Sequence, residues 1–141
     1  MSIRWKCTSK GIRFLVLDEN QQVIATSAFF RNEMWARVGF LNACDLSDSP
    51  VLLLENQKDT SEATYIDRII VTQGKVKKLC QFKYISYSKK VLLESTVFSS
   101  LDETKAAIQW VRSELQYYRS SLQSTHFPLV DSSNSVKQRR Y

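Results

Sequence analysis

Glycine, proline and histidine are scarce in this chain, whose 141 residues include 3 Gly, 2 Pro and 1 His. So few glycines leave no Gly-rich loop to cradle a phosphate. The single histidine, His126, falls in the polar C-terminal tail, so no nucleophile–base pair is assigned to it. The 3 cysteines, Cys7, Cys44 and Cys80, lie 37 and 36 residues apart, with no close pair to clamp a metal or exchange a disulfide. An odd, widely spaced set suits a reducing compartment, so a cytoplasmic location and small-hydrophobe roles are expected. The longest aliphatic run, Val51-Leu52-Leu53-Leu54, is far short of the roughly 20 apolar residues that span a bilayer, so no membrane association is expected. Met1 to Cys7 alternates polar and apolar residues and reads as folded protein rather than a secretory leader.

What is present is ordinary globular material, 43% hydrophobic and 24% charged, at a length suited to one core. The formal charge of +6, from 20 Lys and Arg against 14 Asp and Glu, favours acidic partners in a salt-sensitive way. Most basic residues are scattered, as at Arg4, Lys6, Lys10, Arg13, Arg31 and Arg37. Denser groups stand at Lys75, Lys77 and Lys78 and at Lys89-Lys90.

The main organising signal is internal. Residues 14–43 align without gaps on residues 82–111, an offset of 68, with identities at Phe14/Phe82, Val23/Val91, Ser27/Ser95 and Phe30/Phe98. In both segments two runs rich in branched and aromatic residues flank a polar turn, Asp18 to Gln22 in one and Ser88-Lys89-Lys90 in the other, which predicts a hairpin. The spacing then becomes helical. Ser100-Leu101-Asp102-Glu103 fits a capping box, and Ile108, Val111, Leu115, Tyr118 and Leu122 form one stripe. Asn32 is the matching N-cap, followed by a stripe of Trp35, Val38, Leu41 and Cys44. A further strand precedes each hairpin, at Ile3, Trp5 and Cys7 and at Ile66 to Thr72.

The expected fold class is therefore α+β: a tandem duplication of a β-β-β-α unit, with a mainly antiparallel sheet and two helices on one face. One domain is expected over residues 1–123. Repeat one covers about 1–46, a connection 47–64, and repeat two 65–123. Val51 to Leu54 is long enough for a strand, and Glu55 to Thr64 reads as a surface loop. Residues 124–141 are polar and end on Lys137-Gln138-Arg139-Arg140, so a disordered basic tail is expected.

The segment Asn20 to Phe30, followed by Ala36 and Gly39 on the helix, resembles the core motif of the small YegP-like proteins. The resemblance covers roughly residues 12–45 and, more weakly, 80–113. It implies two tandem β-β-β-α copies with the helices on one side of the strands, and no activity. This chain has Gln21 or Gln22 where the motif places a turn glycine, and Ala107 opposite Gly39.

For function, elimination comes first. Asp18-Glu19, Asp45, Asp48 and Asp102-Glu103 fall in turns and caps, so no catalytic residue, metal ligand or cofactor is assigned. The leading expectation is a non-catalytic module that binds and modulates a protein, as a phage or mobile-element inhibitor does. The alternative is nucleic-acid binding on a sheet surface of Lys75, Lys77, Lys78, Lys83, Lys89 and Lys90 with Phe82, Tyr84 and Tyr87, where cations meet phosphates and rings meet bases. A small enzyme with a carboxylate pair stays open as a third reading. Residues 108–122 offer a stripe that either covers the sheet or pairs two chains as a homodimer.

Overall fold

The computed structural model describes residues 2–55, 67–74 and 79–122. The elements run β1 (Ile3–Thr8), β2 (Gly11–Leu17), β3 (Val23–Ser27), α1 (Glu33–Leu46), β4 (Val51–Glu55), β5 (Arg68–Gln73), β6 (Cys80–Ile85), β7 (Val91–Ser95) and α2 (Leu101–Leu122). The strands form one sheet in the order β1-β2-β3-β7-β6-β5-β4, antiparallel throughout except for the parallel pair of β4 and β5. The chain is thus an α+β fold with a mostly antiparallel seven-stranded sheet. Ile66, Lys75, Lys77, Lys78, most of the 55–64 stretch and the 124–141 tail lie outside the described residues.

Alternation decides which strand residues face the helices. Trp5, Phe14, Val16, Ala25, Leu93, Tyr84, Phe82, Ile69 and Val71 share one face and pack with Ala36, Phe40, Ala43, Ile108, Val111 and Leu115 from the two helices. Phe14, Phe40 and Trp5 meet as tilted or edge-on rings with centroids 5.1 to 5.6 Å apart, the arrangement that ring quadrupoles favour. The expected α2 stripe is used inside the chain at Ile108, Val111 and Leu115. Phe30 and Phe98 are half-buried at the edge of this core.

The face of α1 differs from the expected one. Ala36, Gly39, Phe40, Ala43, Cys44 and Leu46 are buried, whereas Trp35 and Val38 are exposed. The reason is contact distance: Ala36, Gly39 and Ala43 let the helix approach the sheet, and a Cβ at Gly39 would stand 2.1 Å from Phe30 Cε1. Periodicity in large side chains misses a face built from small ones. The α2 cap also differs in part. Glu103 N donates to Ser100 Oγ as expected (3.1 Å), but the Glu103 carboxylate reaches back to Ser99 rather than to Ser100 N.

Many local features recur 68 residues on. Ser27 Oγ accepts from Phe14 N at 2.9 Å, and Ser95 Oγ accepts from Phe82 N at 2.8 Å. Each hydroxyl then donates to the next carbonyl, Ala28 O or Thr96 O, at 2.7 Å. Gln21 (φ 63°) and Lys89 (φ 67°) hold the left-handed turn position that a glycine fills most easily. The register at the β3–β7 junction has the same property. Thr26 faces Glu94, its own counterpart, while Ala25 faces Ser95 and Ser27 faces Leu93, so the junction maps onto itself under a two-fold rotation.

Candidate functional site

Of the sheet surface anticipated for nucleic acid, the described residues place Phe82 and Tyr84 inside the core. Tyr84 is 0% exposed, on the helix-facing side of β6, where its hydroxyl meets Ser47 Oγ at 2.9 Å and Ser47 Oγ donates to Ala43 O. Burial pushes the Tyr84 phenol from 10.0 up to about 12, a shift opposed by the Ser47 hydrogen bond. Phe82 is equally buried. Alternation is the cause: Phe82 and Tyr84 point to the core while Lys83 points away, so rings and cation never share a surface. Lys83 instead lies 4.0 Å from Glu94, directly across the β6–β7 pair. Lys89 and Tyr87 are exposed near the hairpin turn, and Lys75, Lys77 and Lys78 lie outside the described residues.

Of the expected cations, Lys90 does reach a concave surface. An open cleft of about 790 Å³ is lined by the β1–β2 turn (Thr8 to Gly11), Ile12, Phe29, Phe30, Arg31, Trp35 and Lys90. Three separate stretches of chain meet there. Gly11, at φ 130°, allows the β1–β2 turn to press against Phe30, whose carbonyl would be 2.5 Å from any added Cβ. Ile12 N and Phe30 O then bond at 2.8 Å, and Phe30 N and Ile12 O at 2.6 Å, which fixes the floor. Lys90 arrives from the opposite half of the sheet, because β7 runs antiparallel to β3 and Ala28 N bonds to Leu92 O at 3.3 Å.

Trp35 stands in the first turn of α1, held by the Asn32 cap: Asn32 Oδ1 accepts from Trp35 N at 3.0 Å. Its ring is 49% exposed and that of Phe29 is 39% exposed. The Arg13 guanidinium sits 4.7 Å from the Phe29 ring centroid, a cation–π contact that orients the ring. Among the described residues, the lining holds three cations, Lys10, Arg31 and Lys90, and no acidic side chain. Chemically, this is a place for an anion that carries a flat or apolar part.

Four of the equivalent positions 68 residues away differ, although Lys10 has a lysine counterpart, Lys78, outside the described residues. Gln22, Val97, Ser99 and Glu103 stand where Lys90, Phe29, Arg31 and Trp35 would be required. Lys10, Phe29, Arg31 and Trp35 were missed in sequence because the cations looked scattered and Trp35 fitted a core stripe. For Phe29, Arg31 and Trp35, divergence from the second segment is the signal that would have found them.

A second cleft of about 360 Å³ also touches Lys90 and includes Asp45, Asp67, Ser86 and Tyr87. Its carboxylates are engaged: Asp45 pairs with Arg119 at 2.6 Å, and Asp67 accepts from Tyr87 N at 2.7 Å. Among the described residues, no group of His, Cys, Asp and Glu is placed to hold a metal ion. Cys44 is buried, and desolvation raises its thiol from 9.0 to about 12, which leaves it inert. Among those residues no helix is long and apolar enough to cross a membrane.

No family model and no curated protein matches the chain. Two solved structures share its fold. One is the solution structure of a UPF0339 protein from Shewanella oneidensis, with TM-score 0.57 and 17% identity over 80% of this chain and 84% of that one. The other is a protein of unknown function, yegP from E. coli, with TM-score 0.56 and 14% identity over the same shares. The chain therefore has the YegP-like fold.

Proposed function

We propose, taking the YegP-like fold as the starting point, that this chain is a non-catalytic binding module that takes an anionic macromolecule at the Lys10–Arg31–Lys90 cleft. The observation that carries this reading is the convergence of three cations and two half-exposed rings on one cleft with no acidic lining among the described residues. Clustered cations raise the local concentration of anions and speed their encounter. The 68-residue recurrence is read as a duplicated unit in which Phe29, Arg31 and Trp35 are kept in the first copy alone while Lys90 comes from the second. The engaged carboxylates of Asp45 and Asp67 and the buried Cys44 support the non-catalytic reading.

The test is titration with inorganic polyphosphate, an anion with no rings, at several salt concentrations. The Lys10→Glu/Lys90→Glu variant should bind at least about tenfold more weakly, with a shallower salt dependence, because fewer counterions are released. Lys89→Glu, one residue outside the cleft, should bind nearly as the parent does. Equal losses in the two variants would mean that overall charge, not the cleft, attracts the anion.

A further inference from the structure

We infer, on the reading just given, that the cleft takes single-stranded nucleic acid, with a base stacked on Trp35 and the neighbouring phosphates held by Lys10, Arg31 and Lys90. Every base has a flat face, and an exposed indole beside cations matches the alternation of base and phosphate along a strand. The backbone that carries the indole is fixed by the Asn32 cap, and Phe29, in the same lining, is oriented by Arg13.

The form of the cleft separates a single strand from its competitors. It is open rather than enclosed, so a polymer can enter and leave it along its length. A base within a duplex is stacked on its neighbours and cannot present its face to Trp35, whereas an unpaired base can. An acidic peptide would supply charge, and many peptides add as a strand to a free sheet edge. Here β1, whose Thr8 lines the cleft, is an edge strand of the sheet, and a peptide added to it would be held by backbone hydrogen bonds, which do not call for an exposed indole. Nor does a peptide carboxylate give the exposed indole a partner.

The experiment is fluorescence anisotropy with the full chain and four probes: labelled dT10, an abasic strand of the same length, poly-glutamate and a dT10–dA10 duplex. Expected is tightest binding of dT10, with the abasic strand about tenfold or more weaker. Trp35→Ala should abolish that difference and Trp35→Phe should restore part of it, with thermal midpoints confirming that each variant folds. Equal binding of dT10 and the abasic strand, unmoved by Trp35→Ala, overturns base stacking and leaves the anionic cleft standing. Poly-glutamate or duplex binding more tightly than dT10 overturns the single-strand assignment in favour of that ligand. No binding of any probe overturns both this inference and the proposed function.

Discussion

Ser27 and Ser95 do the work of a missing strand neighbour. Each lies where its strand turns away from the sheet, and each hydroxyl accepts the buried amide of Phe14 or Phe82 while donating to the following carbonyl. Replacing either by Ala leaves a buried N–H without a partner, so Ser27→Ala and Ser95→Ala should each cost about 1–3 kcal/mol in urea unfolding. A loss near zero at either site would show that water replaces the hydroxyl. The identity of these serines was visible in the sequence, but its reason was not, since nothing in a residue string shows which amide lacks a partner.

Tyr84 gives a second residue-scale prediction, in pH. Its phenol is raised from 10.0 to about 12, and the Cys44 thiol is raised from 9.0 to about 12. Both groups are neutral when protonated, so their burial favours the folded state fully below pH 9 to 10. That contribution is lost as pH rises towards 12. Absorbance titration of the 6 tyrosines should show one ionising late, close to alkaline unfolding, and Tyr84→Phe should remove it. A Tyr84→Phe chain that still shows a late phenol would place the shifted group elsewhere.

At the scale of elements, the contrast between the two helices is the informative one. Gly39 in α1 lies against Phe30, while the equivalent helix position in α2 is Ala107, with Phe98 in the role of Phe30. Phe98 stacks parallel to Phe82 with centroids 6.4 Å apart. Gly39→Ala should therefore cost about 1–3 kcal/mol through overpacking, despite alanine's better helix propensity. Ala107→Gly should cost only about 0.5–1 kcal/mol, the ordinary helix penalty. Chemical denaturation measures both, and a stabilising Gly39→Ala would mean that the ring moves aside freely.

This contrast also explains what could be read ahead of the structure. Strands and hairpins announce themselves through alternation, as at Trp5 and Phe14, and α2 does so through its large stripe. The face of α1 is written in Ala36, Gly39 and Ala43, residues that carry little hydropathy signal. Trp35 was consequently placed in the core, and with it the best clue to the cleft was lost. Tyr84 was misplaced for a related reason: a basic and aromatic run looks like one surface until β6 alternation divides it between two faces. Of the anticipated cations among the described residues, Lys90 alone lies at the cleft, and its union with Lys10 and Arg31 depends on the β3–β7 pairing, which no residue string displays.

For the molecule as a whole, the β3–β7 register makes a strong demand. Thr26 faces its own counterpart across the junction, so two copies of the first half could pair through β3 in the same manner. A fragment of residues 1–50 should therefore fold as a dimer, with a thermal midpoint that rises with concentration. A midpoint independent of concentration would show that the half-unit does not need the junction.

The same register has a consequence for valency. Two identical half-chains joined at Thr26 would be compelled to carry two identical clefts, one at each end of the axis, and every sheet would be a bivalent cross-linker. A continuous chain escapes that compulsion, because Phe29, Arg31 and Trp35 can stay at one end while Val97, Ser99 and Glu103 occupy the other. Lys90 nonetheless comes from the far half to complete the first cleft. On the proposed reading, the described residues thus present one docking point built from both halves, which would cap or cover a ligand without bridging two of them.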